Sequence, residues 1–253
     1  MKYKILISGI LFYMLLSGLS AQQPAQVADS ANTAYKQGEY HMALKFYDSV
    51  YHMGYHSAAL YYNMANSYFK TDRIPRAILF YERALKLDPG NEDIRKNLQM
   101  ARQLTLDKIE KVPELFYQRW WKNLMSQASV DEWSIAGIVA FSLFLAMLAF
   151  FLLSGRIWIK KITFYTGLLV FVFMILSFVF AAKQHNNLVQ EQDAIIFNPS
   201  VTVKSSPDQN SVDLFVIHEG TKVYILDRLG SWYEIKIDNG SVGWIPQDAA
   251  EVI

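Results

Sequence analysis

Two uncharged apolar runs, residues 135–153 and 162–182, constrain this chain more than any other feature. Each is close to the roughly 20 residues that a membrane-spanning helix needs. At 1.5 Å per residue a helix as long as the first run covers about 28 Å, close to the hydrocarbon thickness of a bilayer. Both runs are apolar on every face. That favours membrane helices over the alternative, a pair of buried core helices. Only residues 154–161 separate the runs, so the two helices must form a hairpin with both outer ends on one side. The connector contains Arg156, Lys160 and Lys161 and no acidic residue. The positive-inside rule makes it a cytoplasmic loop. The N-terminus gives the same topology. Lys2 and Lys4 precede an uncharged stretch over 5–19, and small residues lead to Ala21. This is the pattern of a secretory signal peptide over 1–21, cleaved after Ala21. The other reading is an uncleaved anchor, for which the apolar core over 5–19 is short. From Lys183 onward, 5 Lys/Arg stand against 10 Asp/Glu, in keeping with an outer location. Both soluble regions are therefore expected outside the cytoplasm.

The first soluble region, 24–112, matches itself when it is shifted by one fixed step. Ala31 and Asn32 fall on Ala65 and Asn66, Lys36 on Lys70, Ala43 on Ala77 and Tyr47 on Tyr81. A period of about 34 residues, with small residues at fixed places and aromatics between them, is the signature of tetratricopeptide repeats, each a pair of antiparallel helices. Repeat two covers about 58–91 and repeat one about 24–57, the latter degenerate at its start. Pro89 ends the second repeat, because proline lacks an amide donor and restricts the residue before it. Residues 91–110 then read as a capping helix. Asn91 is its candidate N-cap, and Leu98, Ala101 and Leu104 form its apolar stripe. Two repeats and a cap fall short of the three repeats a solenoid usually needs. The solenoid is expected to lean on the membrane-proximal segment or on a partner.

By repeat register, Asn32, Asn63, Asn66 and Asn97 should line the concave face, with Lys36 and Lys70 at its edge. Asparagine amides can bond an extended peptide backbone and lysines can meet a carboxylate, so this face is the candidate partner-binding site. The competing reading is that these asparagines serve helix packing. Ahead of the first span, 113–133 carries Phe116, Tyr117, Trp120, Trp121 and Trp133, with Arg119 and Lys122 able to reach phosphates. Aromatics of this kind collect at the membrane interface, which Trp120, Trp121 and Trp133 should mark. A protein-docking strip is the alternative.

From 194 to 253 the pattern changes to period two, with short β-rich runs split by Gly, Pro and the Asn239-Gly240 hairpin signal. Five or six strands in so short a stretch predict a small barrel. The motif order resembles a bacterial SH3 domain. Its most specific pieces are Gly230-Ser231-Trp232 and Gly243-Trp244. Such domains elsewhere bind peptides or cell-wall fragments. Trp232, Tyr233 and Trp244 could offer a stacking surface, although the reading preferred on composition is that the two tryptophans close the barrel core. The fold class is thus multi-domain: an all-α tetratricopeptide solenoid, a two-helix transmembrane hairpin and a C-terminal all-β SH3-like barrel.

No catalytic constellation stands out. The net charge of +1 argues against nucleic acid, and the absence of Cys removes thiolate chemistry, thiolate zinc sites and disulfides. His52 and His56 are four apart without the acidic neighbour of a zinc-protease motif. Neither apolar run carries an ionisable residue that would point to transport. No cofactor, metal site or catalytic residue is predicted.

The combination resembles the BatE family, named for Bacteroides aerotolerance. The resemblance covers nearly the whole chain and rests on YYNMANSYFKTDRIPRAILFYERALKLDPGNEDIRKNLQMA, the WWKNL patch and VKSSPDQNSVDLFVIHEGTKV. It implies a role in tolerance of oxidative or envelope stress. It also implies an association with von Willebrand A-domain Bat membrane proteins and, indirectly, with a MoxR-type ATPase. It transfers no functional residues. The function expected is a non-enzymatic scaffold. The alternative is a peptidoglycan-binding anchor or sensor acting through the barrel.

Overall fold

The computed structural model describes residues 24–110, 112–113, 115–190 and 192–253, so the expected signal peptide lies outside the described residues. Five helices build the solenoid: α1 over 24–36, α2 Tyr40–His52, α3 Ala58–Lys70, α4 Ile74–Leu87 and α5 Glu92–Gln103. Small residues set their spacing. Ala31, Ala43, Ala65, Ala77 and Ala101 are all fully buried where helices approach, and Tyr47, Met64, Ile78 and Tyr81 fill the space between. Local chemistry fixes the ends. The Ser57 hydroxyl accepts from the Leu60 amide at the start of α3, and the Asn91 side chain accepts from the Asp93 and Ile94 amides at the start of α5. Between α1 and α2 the chain turns through Gly38 at φ 82°; at the equivalent place in the next repeat Asp72 takes the same left-handed region at φ 59°.

Helix α6 (Phe116–Met125) precedes α7 (Val130–Leu153) and α8 (Ile157–Gln190). Ser129 and Glu132 form a reciprocal capping box at the start of α7. Both α7 and α8 are long and apolar enough to cross a membrane, and they pack on each other as an antiparallel hairpin. Gly137 lets them approach: a Cβ there would lie 3.0 Å from the Phe178 ring. Their outward faces expose Phe150, Leu153, Leu169 and Val172, as expected of surfaces that meet lipid. The connector is shorter than the expected loop over 154–161. Helix α8 begins at Ile157, so residues 154–156 make the turn, with the Ser154 hydroxyl accepting from the Arg156 amide. Lys160 and Lys161 ride on the first turns of α8 rather than in a loop. At its other end α8 continues past the apolar run to Gln190, a further 12 Å or about two turns at 1.5 Å per residue. There the Gln184 amide donates to the Met125 and Ala128 carbonyls at 2.7 and 3.0 Å, tying α8 to the α6–α7 turn.

The C-terminal barrel has strands β1 Asp193–Ile196, β2 Ser200–Lys204, β3 Asp213–His218, β4 Lys222–Leu229, β5 Trp232–Lys236, β6 Val242–Pro246 and β7 Ala250–Val252. They run antiparallel in the order β3-β2-β6-β5-β4-β1-β7. The two strands not foreseen, β1 and β7, pair with each other and carry the contact with the solenoid. Ile195 belongs to the solenoid core, and Phe197 and Ile253 pack against it. Around this apolar contact lies a polar rim. Arg76 and Arg83 of α4 reach the Glu251 carboxylate at 2.7 and 3.2 Å. Beneath it Glu82, 4% exposed, pairs with Arg102 and with Lys222 at 3.0 Å, and Lys222 also meets Asp193 at 2.7 Å. The segment after α5 straps the barrel. Asp107 accepts from the His218 amide and the Thr221 hydroxyl, both at 2.7 Å, Ile109 packs on the barrel core, and the Val112 amide donates to the Asp238 carbonyl. The short solenoid therefore leans chiefly on its own barrel. Gly220, at φ 82°, is the point of closest approach: a Cβ there would stand 2.7 Å from Thr105 and 3.3 Å from Ile78.

Burial pushes the Glu82 carboxyl up, but the charges of Lys222 and Arg102 outweigh it and hold it below its ordinary value. Asp107 is likewise pushed up by burial and brought below its ordinary value by the bonds from His218 and Thr221. Folding thus lowers both carboxyl pKa values. The stability they confer is complete above the unfolded value, about 4, and is lost as pH falls through the folded one. Glu82→Gln is expected to destabilise the full-length protein in detergent by about 3 kcal/mol at pH 7, because it leaves Lys222 and Arg102 without their shared anion. The variant's melting temperature should also fall less between pH 7 and pH 3 than the parent's. Gly220→Val should separate barrel from solenoid, read as new protease sensitivity near residues 104–113 with both modules still folded.

Candidate partner-binding groove

The four asparagines lie on α1, α3 and α5, and they do not form a row of free amides. Asn32 Oδ1 accepts from the Tyr47 hydroxyl at 2.7 Å and from Asn63 Nδ2 at 3.2 Å. Asn66 Oδ1, at the equivalent place one repeat on, accepts from the Tyr81 hydroxyl at 2.6 Å and from Asn97 Nδ2 at 3.0 Å. The same trio of asparagine, tyrosine and asparagine thus recurs with the repeat itself. Each central oxygen spends both lone pairs inside the protein. Burial, with a smaller contribution from Tyr35, pushes the Tyr47 hydroxyl up to about 12, and burial raises that of Tyr81 as well. Both phenols consequently stay protonated donors at physiological pH. Asn97 Nδ2 also reaches the Tyr62 hydroxyl at 3.0 Å.

The packing role of these residues is therefore visible, and it leaves part of their capacity outward. All four side chains are only half-buried. The Nδ2 groups of Asn32 and Asn66 and the Oδ1 of Asn63 make no side-chain bond among the described residues. Tyr35 and Tyr62 add half-buried aromatic surface beside them. Lys36 and Lys70 are exposed at the ends of α1 and α3. Lys70 also borders a shallow cavity of about 440 Å³ with Tyr40, His41, Met42 and Lys45. The bonds to the barrel come from α4 and from the segment after α5. They leave the asparagine face uncovered.

In the barrel, burial alternates along β5 and β6. Tyr233, Ile235 and Ile245 point into the core, while Trp232 and Trp244 are half-buried on the opposite face. The tryptophans therefore do not close the core. Tyr233 does, with the Arg228 guanidinium 5.1 Å from its ring centre, and its ring is no open stacking surface. Gly243 explains part of this reversal: a Cβ there would stand 2.5 Å from Val203 and 2.8 Å from the Lys204 carbonyl, so strand approach takes up space that a large residue would need. At the foot of the molecule Trp121 and Trp133 both meet Phe180 edge-on at 5.0 Å, and the Trp133 indole donates to the Met125 carbonyl. Trp120 remains 62% exposed.

The fold is that of a repeat-containing protein with an SH3-like barrel and an apolar helical hairpin. Comparison with protein families agrees: residues 58–91 match the tetratricopeptide repeat and residues 199–250 match the bacterial SH3 domain. A comparison with curated proteins found no match. Domains of these two kinds typically carry no catalysis; they point to protein–protein interaction or cell-wall binding, and the two apolar helices point to membrane association.

Sequence reasoning missed the tyrosines that hold the asparagines, although Tyr47 and Tyr81 already matched each other at the repeat shift. It also missed Glu82, Asp107, Asp193 and Lys222. Their partners lie far away in sequence, 140 residues in the case of Glu82 and Lys222, and no local pattern marks them. The trio geometry predicts an order of stabilities. Asn66→Ala, which strands the Tyr81 hydroxyl and an Asn97 donor, should cost about 1–3 kcal/mol in a thermal melt. Asn63→Ala removes one longer bond and should cost no more than about 1 kcal/mol.

Proposed function

We propose that the protein is a non-enzymatic scaffold of a bacterial inner membrane that presents its solenoid groove to an extended segment of a partner protein. The observation that carries this reading is the open face of α1, α3 and α5. Its asparagine amides retain outward donors and acceptors, aromatic surface lies beside them, and Lys36 and Lys70 stand at its edge. Outward amides suit an extended backbone, and the lysines suit an acidic side chain or a C-terminal carboxylate. The docked barrel supports the same reading, because it braces a two-repeat solenoid from behind and leaves the groove accessible. On this proposal both modules lie in the periplasm. The partners are other membrane proteins, von Willebrand A-domain Bat components among them, with a MoxR-type ATPase engaged indirectly and the setting one of aerotolerance or envelope stress.

A second reading has its own observation. Trp232 and Trp244 are half-buried on the outer face of the barrel rather than in its core, and such a pair suits stacking against peptidoglycan sugars. The test for the leading reading is crosslinking in native membranes followed by affinity capture and mass spectrometry. Lys36→Glu with Lys70→Glu reverses the edge charge without touching the asparagine trios. Loss of specific membrane partners from this variant is expected; an unchanged partner set would reject the groove. If full-length protein pelleted with purified sacculi, and Trp232→Ala with Trp244→Ala abolished that, the anchor reading would replace the scaffold.

A further inference from the structure

Between α6, the outer end of α8 and the barrel lies an open cleft of about 1330 Å³. Among the described residues four cations line it, Arg119 and Lys122 from α6, Lys183 from α8 and Lys236 from β5, against two carboxylates, Asp193 and Asp238. Both carboxylates are engaged: Asp193 by Lys222 at 2.7 Å, Asp238 by the Tyr224 hydroxyl at 2.7 Å. Arg119, Lys183 and Lys236 have no carboxylate within 4 Å among the described residues. They come from three separate parts of the chain, so the fold, not a run of basic sequence, brings their charges to one place.

The height of the cleft says what the charges meet. Lys183 is the first charged residue after the apolar run of α8, which sets its ammonium at the edge of the hydrocarbon layer. Trp121 of α6 meets Phe180, three residues before Lys183, edge-on at 5.0 Å, a depth at which indole rings settle among headgroups. Trp121, Met125 and Leu226 give the cleft an apolar side. A site that sets cations beside apolar surface at this height matches a lipid whose phosphate carries a net negative charge.

We propose that this cleft binds the headgroup of an anionic phospholipid, with Arg119 and Lys183 on the phosphate and Lys236 closing over it from the barrel. The lipid would join the membrane-proximal helix to the barrel, and so fix the height of solenoid and groove above the bilayer. The inference rests on the hairpin lying in a membrane and not on the partner reading, and detergent-dependent extraction checks that premise separately.

The test uses the full-length protein in non-ionic detergent and native mass spectrometry with added phosphatidylglycerol or chain-matched phosphatidylcholine. Phosphatidylglycerol should bind at least about tenfold more tightly, about 1.4 kcal/mol. Arg119→Gln with Lys183→Gln should abolish the preference, and Lys183→Arg should keep it. Lys45→Gln with Lys96→Gln, on the solenoid, should leave it unchanged. Unaltered melting of the lipid-free variants shows that they are folded. Equal binding of the two lipids, or a preference that survives the double variant, would overturn the proposal. Displacement of the lipid by millimolar inorganic phosphate would also overturn it, in favour of a free-anion site.

Discussion

The buried carboxylate of Glu82 sits where the two soluble halves of this molecule meet. It leaves water in the middle of a solenoid helix and is answered by one cation from the solenoid's own cap, Arg102, and one from the barrel, Lys222. Lys222 is in turn shared with Asp193 on β1. Each module alone keeps one pair, Glu82 with Arg102 in the solenoid and Lys222 with Asp193 in the barrel, and the bond between Glu82 and Lys222 joins the two. Once the desolvation of the set has been met, separating the halves would take one partner each from Glu82 and Lys222, so charge as well as apolar packing favours the docked arrangement.

Several other features depend on that docking. A two-repeat solenoid exposes a flank that a longer array would cover with another repeat. Here Ile195, Phe197 and Ile253 cover it, and Arg76 and Arg83 close the edge on Glu251. The segment after α5, which reads as a plain continuation of the cap, becomes a strap through Asp107, Ile109 and Val112. On the membrane side, α8 runs unbroken from the apolar run almost to β1. The Gln184 bonds to the α6–α7 turn join the hairpin to the aromatic helix.

The asparagine face illustrates how a binding reading and a packing reading can share residues. Asn32 and Asn66 use their oxygens to tie successive helices and keep their amide donors outward. Recognition through such residues would use a surface already ordered by the fold, which lowers the entropy cost of binding. The barrel tryptophans show the opposite case. Large size argues for burial, yet strand alternation and the close approach at Gly243 put Tyr233 inside and Trp232 and Trp244 outside.

What the sequence determined by itself was everything governed by local period or local chemistry. The apolar runs dictated two long helices, the repeat shift dictated the helix pairs, and Asn91 marked a helix start through bonds to amides two or three residues away. The two-residue alternation and Asn239-Gly240 dictated a barrel. Each of these signals operates within a turn, a strand or one repeat, where residue spacing and geometry are the same thing. Tertiary structure alone decided how the modules meet. The pairing of β1 with β7, the ion set around Glu82, the clasp of Asp107 on the β3–β4 turn and the basic cleft beside α6 join residues up to 140 or more positions apart. A charged residue on a helix looks the same in sequence whether water or a distant countercharge faces it. Only the packing of apolar surface, which fixes where each face ends up, settles which of the two it meets.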